Sequence, residues 1–391
     1  MKKIVVAPDS FKGSLTSAEV ADAVERGIKD VFPQCNVVKA GVADGGEGTV
    51  EAIVKAVGGD MYAASVTDPL GRPVKAAYGI VRSGGVKTAV MEMSAASGLP
   101  LLLPDELNPW ITSTYGTGEM ISDALNRGCR KFLVGISGSA TNDAGTGMLS
   151  ALGVRFLDSS GQRLKGCGRD LESIARIDMS SLMPAARESE FIVACDVNTP
   201  FCGPDGAARV FAPQKGADPQ TAEALDLGMR SFARVIAGQF QTDIVPLSGA
   251  GAAGGLGGAF KAFLNARLTA GIEMVLDAIA FDSLLEGASL VITGEGRIDA
   301  QTAAGKTAAG VLRHAARKGI PVIAIGGSVA MCRELKEMEF IGIYSIINAP
   351  VSLEQAMRQD WATARIRCTV EQILTTMKHC AGTLLFQKGG D

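Results

Sequence analysis

Five short segments pair glycine with carboxylate, hydroxyl or basic side chains, and each lies at the end of an apolar run or the start of a helical pattern. In Asp9-Ser10-Phe11-Lys12-Gly13-Ser14, a carboxylate and hydroxyls can hold a polar substrate, Ser10 foremost, and Lys12 can offset phosphate charge. A helix cap with a surface lysine would use the same residues. In Asp44-Gly45-Gly46-Glu47-Gly48-Thr49, three glycines among six residues permit positive φ and close backbone approach. Asp44 and Glu47 can there orient a hydroxyl or bind a hard divalent cation. A tight capped turn explains one such glycine and hardly three.

The third segment, Gly138-Ser139-Ala140-Thr141-Asn142-Asp143-Ala144-Gly145, opens a helix after an apolar strand. Upstream, Thr112-Ser113-Thr114-Tyr115-Gly116-Thr117-Gly118-Glu119 repeats its chemistry. A helix amino terminus with hydroxyl and N–H donors can cradle phosphate, with Gly138, Ser139, Thr141 and Asn142 as candidate contacts; ordinary capping is the plainer reading. The run from Gly249 to Gly258 holds a G-x-G-x-x-G match at Gly249, Gly251 and Gly254. A dinucleotide fingerprint also needs a preceding strand and an acidic residue about 20 residues on. Glu273 falls near that distance, but inside a helical pattern. Gly251, Gly254 and Gly255 therefore read as a loop that approaches phosphates.

The fifth segment, Thr293-Gly294-Glu295-Gly296-Arg297-Ile298-Asp299, presents two carboxylates and an arginine after an apolar strand. Downstream, Gly305-Lys306-Thr307 resembles the end of a P-loop, but the motif requires glycine where Ala300 stands. Lys306 can still reach a phosphate from a helix start. Asp196 ends another apolar strand and is a candidate base, or else a turn residue. Lys215, in Pro213-Gln214-Lys215-Gly216-Ala217, reads as a solvated turn lysine.

Composition narrows the chemistry. Of 391 residues, 48 are glycine, gathered in loops and not in repeats. Only two histidines occur, His314 and His379, both in helical patterns. A histidine triad or histidine metal site lacks material, so acid–base work falls to carboxylates and any metal to oxygen ligands, which suit Mg²⁺. The net charge of -3 argues against a free-standing nucleic-acid binder. Eight cysteines without a C-x-x-C pair, and a start that does not read as a signal peptide, predict a reduced cytoplasmic protein. No apolar run approaches the roughly 20 residues that span a bilayer, so no membrane partner is expected.

The elements that must position these loops are strands and helices in alternation. Lys3–Ala7 reads as a buried strand, Thr16 with Glu19 as a capping box, and Val20, Val24, Ile28 and Val31 as one helix face. The α/β alternation returns with strands over 289–293, 321–325 and 342–346 and a last helix over about 360–379. The predicted fold class is α/β: a discontinuous Rossmann-like parallel sheet domain from residues 1–60 and 287–391, with an inserted α/β domain over 61–286. Residues 108–152 suit either sheet. Clefts between such domains are favoured ligand sites.

Taken together, the motifs resemble the bacterial glycerate kinases. The matching stretches are A-P-D-S-F-K-G-S-L-T-S from Ala7, A-D-G-G-E-G-T from Ala43, D-P-L-G-R-P-V from Asp68 and N-P-W-I-T-S-T-Y-G-T-G-E from Asn108. They continue with G-S-A-T-N-D-A-G-T-G-M-L from Gly138, A-C-D-V from Ala194, F-A-P-Q-K-G-A from Phe211, G-A-G-A-A-G-G-L-G from Gly249 and I-T-G-E-G-R-I-D-A-Q-T from Ile292. They run in family order across nearly the whole chain. The family often has glycine where this chain has Ser137 and Ala144, and a proline is expected near Thr307. The resemblance implies ATP-dependent phosphorylation of D-glycerate with Mg²⁺, giving 2-phosphoglycerate; a monomer or homodimer is the expected assembly. In that scheme Arg297 or Arg72 meets the substrate carboxylate. Asp196 or Asp44 orients the hydroxyl, with Ser10 and Glu47 beside the substrate. Lys12 offsets charge, Glu295 or Asp299 holds Mg²⁺, and the glycine turns with Lys306 approach the phosphates of ATP. A sugar-acid sensor without catalysis and an NAD-dependent hydroxy-acid dehydrogenase are the rival readings.

Overall fold

The computed structural model describes residues 2–83 and 85–387. In chain order the strands are Lys3–Pro8 (β1), Asn36–Lys39 (β2), Gly59–Thr67 (β3), Pro73–Ser83 (β4), Val86–Glu92 (β5), Lys131–Gly135 (β6) and Arg155–Leu157 (β7). Then come Arg176–Asp178 (β8), Glu190–Ala194 (β9), Arg267–Thr269 (β10), Leu290–Ile298 (β11), Val322–Val329 (β12) and Gly342–Ser345 (β13). The chain divides into two compact units, one from residues 1–44 with 275–391 and the other from residues 45–274.

The first unit is an open parallel sheet in the order β13-β12-β11-β1-β2. Ile4, Val5, Val6 and Ala7 are wholly buried, as a central parallel strand covered on both faces requires. The capping box forms, with Glu19 Oε2 accepting from the Thr16 N–H at 2.8 Å and Thr16 Oγ1 from the Glu19 N–H at 3.3 Å. The helix Ser17–Val31 lies so close to Gln359–Gln387 that a Cβ on Gly27 would stand 2.6 Å from the Arg367 carbonyl. Ile366, Val370, Ile373 and Leu374 of the last helix are buried in this core. Strand order reverses between β1 and β11. In doubly wound sheets the crevice at the carboxyl ends of such a pair is the ligand site. The segment read as a loop after residue 293 is still strand: β11 pairs in register with β12 out to Ile298 and Val329, and a Cβ on Gly294 or Gly327 would stand 2.3 Å from the Ile325 carbonyl or 2.5 Å from the Gly296 carbonyl across the pair.

The second unit carries a six-stranded sheet ordered β10-β9-β6-β5-β4-β3. β5, β6, β9 and β10 are parallel, and β4 and β3 form an antiparallel margin. Phe132 and Phe191 stack across β6 and β9 at 4.6 Å between ring centres, inside one continuous core. The 108–152 segment contributes β6 to this sheet. Residues 45–60, expected with the amino-terminal segment, also fall in this unit. Their helix Thr49–Val57 buries Val50, Ile53 and Val54, and Gly79 of β4 makes room for Val54, whose Cγ2 would lie 2.2 Å from any Cβ there. Residues 275–286, expected in the insertion, fall in the first unit.

Candidate active site

At the switch point of the first unit, the loop after β1 and the end of β11 enclose a cavity of about 340 Å³. Asp9, Ser10, Lys12, Asp44, Glu295, Arg297 and Lys306 line it. Asp9 begins where its N–H donates to the Gly294 carbonyl at 2.8 Å, locking the β1 loop to β11. Its carboxylate accepts from the Ser10 N–H and from Thr307 Oγ1, each at 2.7 Å. Thr307 starts the helix Thr307–Arg317, with Lys306 at its cap position. Lys12 stands 3.6 Å from Asp44 and is two-thirds exposed.

The electrostatics single out Glu295. It is 7% exposed, and its Oε1 is buried with no hydrogen-bond partner among the described residues. Burial pushes its carboxyl up to about 7; a Thr302 hydrogen bond and Lys306 pull it back, while Asp9 and Asp44 repel it further. Asp9 is raised as well, by burial and then by Asp44. Such a set favours a bound cation. Among the described residues no three His, Cys, Asp or Glu side chains converge as a preformed cage. Mg²⁺ commonly takes one or two carboxylates and completes its shell with phosphates and water, so Glu295 fits that role. Asp299 fits it less well. Its carboxylate accepts from the Gln301 N–H at 2.9 Å and pairs with Arg297 at 2.9 Å, and it is absent from the cavity wall.

In the second unit, β5, β6 and β9 end side by side at Glu92, Gly135 and Ala194. Asp196 follows β9 and is exposed, accepting from the Gly271 N–H at 2.8 Å. Glu47 is exposed on the loop before Thr49–Val57, and Glu92 anchors that helix by accepting from the Val50 N–H at 3.1 Å. Burial raises the Glu92 carboxyl, against that hydrogen bond. Arg72 is taken up by Asp68 at 2.6 Å and by Glu106, so its guanidinium braces the β3–β4 turn.

The turn after β6 departs most from expectation. The helix Thr146–Ala151 does not present free amides to a phosphate. Asp143, fully buried, already accepts from the Gly145 N–H at 3.1 Å, the Gly147 N–H at 3.2 Å and the Thr114 N–H and Oγ1 at 2.7 and 2.8 Å. Ordinary capping prevails there, and the two hydroxyl-rich segments are one hydrogen-bonded body. Thr141 and Asn142 are buried, while Ser137 and Gly138 form the exposed rim. Lys215 is not a solvated turn lysine: it is 2% exposed and donates to Ser139 Oγ and the Thr141 carbonyl, each at 2.7 Å.

The glycine run also turns inward. Ala253, Gly254 and Gly255 have φ of 53, 67 and 92° at the head of the helix ending at Leu264. A Cβ on Gly254 would stand 2.2 Å from the Thr141 carbonyl, and one on Gly251 2.1 Å from the Pro200 carbonyl. The close approach these residues permit is to the protein's own backbone. The buried, hydrogen-bonded states of Asp143, Lys215 and Glu92 are not legible in the sequence. The only sequence signal was a charged side chain beside a glycine turn or at the end of an apolar strand.

The fold is α/β, with carboxylates, lysines and an arginine gathered at the switch point of its parallel sheet. The chain belongs to the glycerate kinase family, whose model matches residues 4–378, and is a kinase. It is 45% identical over 377 residues to a glycerate kinase of Bacillus subtilis, covering 96% of this chain and 98% of that one. It is 44% identical to a glycerate 2-kinase of Escherichia coli, covering 91% and 93%. A crystal structure from Salmonella typhimurium assigned as a glycerate kinase 2 matches with a TM-score of 0.88 at 43% identity, covering 97% of this chain and 99% of that one.

Proposed function

We propose that the protein transfers the γ-phosphoryl group of ATP to D-glycerate, giving 2-phosphoglycerate and ADP, with Mg²⁺. The observation that carries the reading is the cavity at the β1/β11 switch point in a chain of the glycerate kinase family: it joins a carboxylate with one unsatisfied oxygen, two lysines and an arginine in one wall. Phosphoryl transfer is mostly positioning and charge stabilisation, and these are the groups it needs. Arg297, 71% exposed, is preferred over Arg72 for the substrate carboxylate, because Arg72 is already held by two acids. Asp196 and Asp44 are the candidates to orient the hydroxyl and take its proton, with Ser10 and Glu47 as substrate contacts. Lys12 and Lys306 offset phosphate charge. Mg²⁺ on Glu295 would neutralise charge on the transferring group. Gly138 and its rim, supported by Ser139, Thr141 and Asn142, are proposed to meet the phosphates of ATP.

The name of the Escherichia coli relative supports the 2-phosphate product. Eight free cysteines suit a reducing compartment, so we assign the reaction to the cytoplasm, in a monomer or homodimer. The decisive assay supplies ATP, Mg²⁺ and D-glycerate, follows ADP release, and identifies the product by ³¹P NMR. Phosphate on the 3-position would overturn the regiochemistry, and ligand binding without ADP release would favour a sensor.

A further inference from the structure

Lys215 sits in the short turn Pro213–Lys215, inside the second unit. Its ammonium has three N–H donors and two acceptors, Ser139 Oγ and the Thr141 carbonyl. Both acceptors belong to the turn after β6, and both are uncharged. A buried ion is tolerated when it is paired, and neutral acceptors leave its charge uncompensated. Asp143 is the charged group whose field reaches Lys215, but its carboxylate is already engaged by Thr114, Gly145 and Gly147. Burial pushes the Lys215 ammonium down to about 7, against that field. Thr141 Oγ1 and Asn142 Oδ1, buried in the same turn, have no hydrogen-bond partner among the described residues. A turn that needed only its shape held could use a neutral side chain here. A buried cation behind an exposed rim suits an anion on that rim.

We propose that Lys215 is a positioning residue that fixes the 137–142 turn from within and supplies the positive potential for a phosphate group bound at its Ser137–Gly138 rim. The inference rests on the reading that this turn receives the phosphates of ATP. It has a signature that mere support of the turn lacks: a bound anion favours the protonated lysine, so ATP binding at about pH 8 must draw a proton onto the protein.

The test is calorimetric titration of the full-length protein with Mg²⁺-free ATP at about pH 8, in buffers of different ionisation enthalpy, beside steady-state kinetics with Mg²⁺, for wild type, Lys215→Met and Lys215→Arg. Wild type should take up protons. Lys215→Met should lose that uptake and raise the KM for ATP about tenfold or more at little cost to the KM for glycerate, and Lys215→Arg should restore much of the ATP affinity. If Lys215→Met does not fold, Ser139→Ala, which removes one of the two acceptors, must change the proton uptake. Lys215→Met, or Ser139→Ala in its place, with wild-type uptake and ATP KM would overturn the inference. Absence of turnover with glycerate in the wild type would instead overturn the proposed function, which the ADP assay reads separately.

Discussion

Glu295 is a carboxylate that its surroundings disfavour as an anion, and the two consequences can be separated by substitution. Its folded-state value of about 7 lies above the ordinary 4.5, so between these values the folded state holds more protons than the unfolded one. On this group's account stability therefore falls as pH rises from about 4.5 to about 7, and the cost stays in full above that. Glu295→Gln should stabilise the protein at pH 8 by about 1–2 kcal/mol in chemical denaturation, while lowering kcat by about 100-fold or more. Loss of both stability and activity would show that the carboxylate is structural. The proton also competes with a cation on the same oxygens, so the acid limb of kcat/KM should move to lower pH as Mg²⁺ is raised. Arg297→Ala should raise the KM for glycerate about 10- to 100-fold, and Arg72→Ala should leave it unchanged. The opposite ranking in steady-state kinetics would return Arg72 to the substrate carboxylate.

At the scale of elements, the glycine turns sort by what lies over them. Gly48 has φ of 86° and open space within 4 Å of where a Cβ would stand, whereas Gly254 has φ of 67° and the Thr141 carbonyl at 2.2 Å. Gly48→Ala carries only the left-handed penalty, about 1–2 kcal/mol. Gly254→Ala adds a steric clash and should cost about 2–4 kcal/mol, with the 138–145 turn losing hydrogen-exchange protection. Ala144 tells the converse story. It occupies a position where the family resemblance expects glycine, and its φ is 51°. Ala144→Gly should relieve that strain and raise stability by about 0.5–1 kcal/mol, read as a higher Tm. Strand and helix types followed from apolar periodicity and capping residues, which are local. Loop roles did not, because a glycine serves a ligand, a carbonyl or a neighbouring helix with equal ease. Only the atoms across the gap tell which.

At the scale of the molecule, each unit builds its main core from a different stretch of chain. The second unit is continuous in sequence, over residues 45–274, and its sheet and core are complete within that stretch. A fragment of those residues should fold cooperatively alone, with a single transition by near-ultraviolet circular dichroism, and should lack kinase activity because Lys12, Glu295 and Arg297, the groups proposed for catalysis, belong to the other unit. A fragment that stays molten would show that the unit depends on the rest of the chain.

Periodicity and motif order are written along the chain, and from them alone came the α/β class, most strand positions and the family. So did a set of polar and charged residues, of which Ser10, Lys12, Asp44, Glu295, Arg297 and Lys306 line one cavity. Four things waited on the folded molecule: where residues 45–60 pack, that Arg72 is paired, that Asp143 takes the amides expected for phosphate, and that Lys215 is buried. Each of those depends on which distant segment lies within a few ångströms. Burial and pairing are properties of that neighbour, and no local pattern of residue types encodes them.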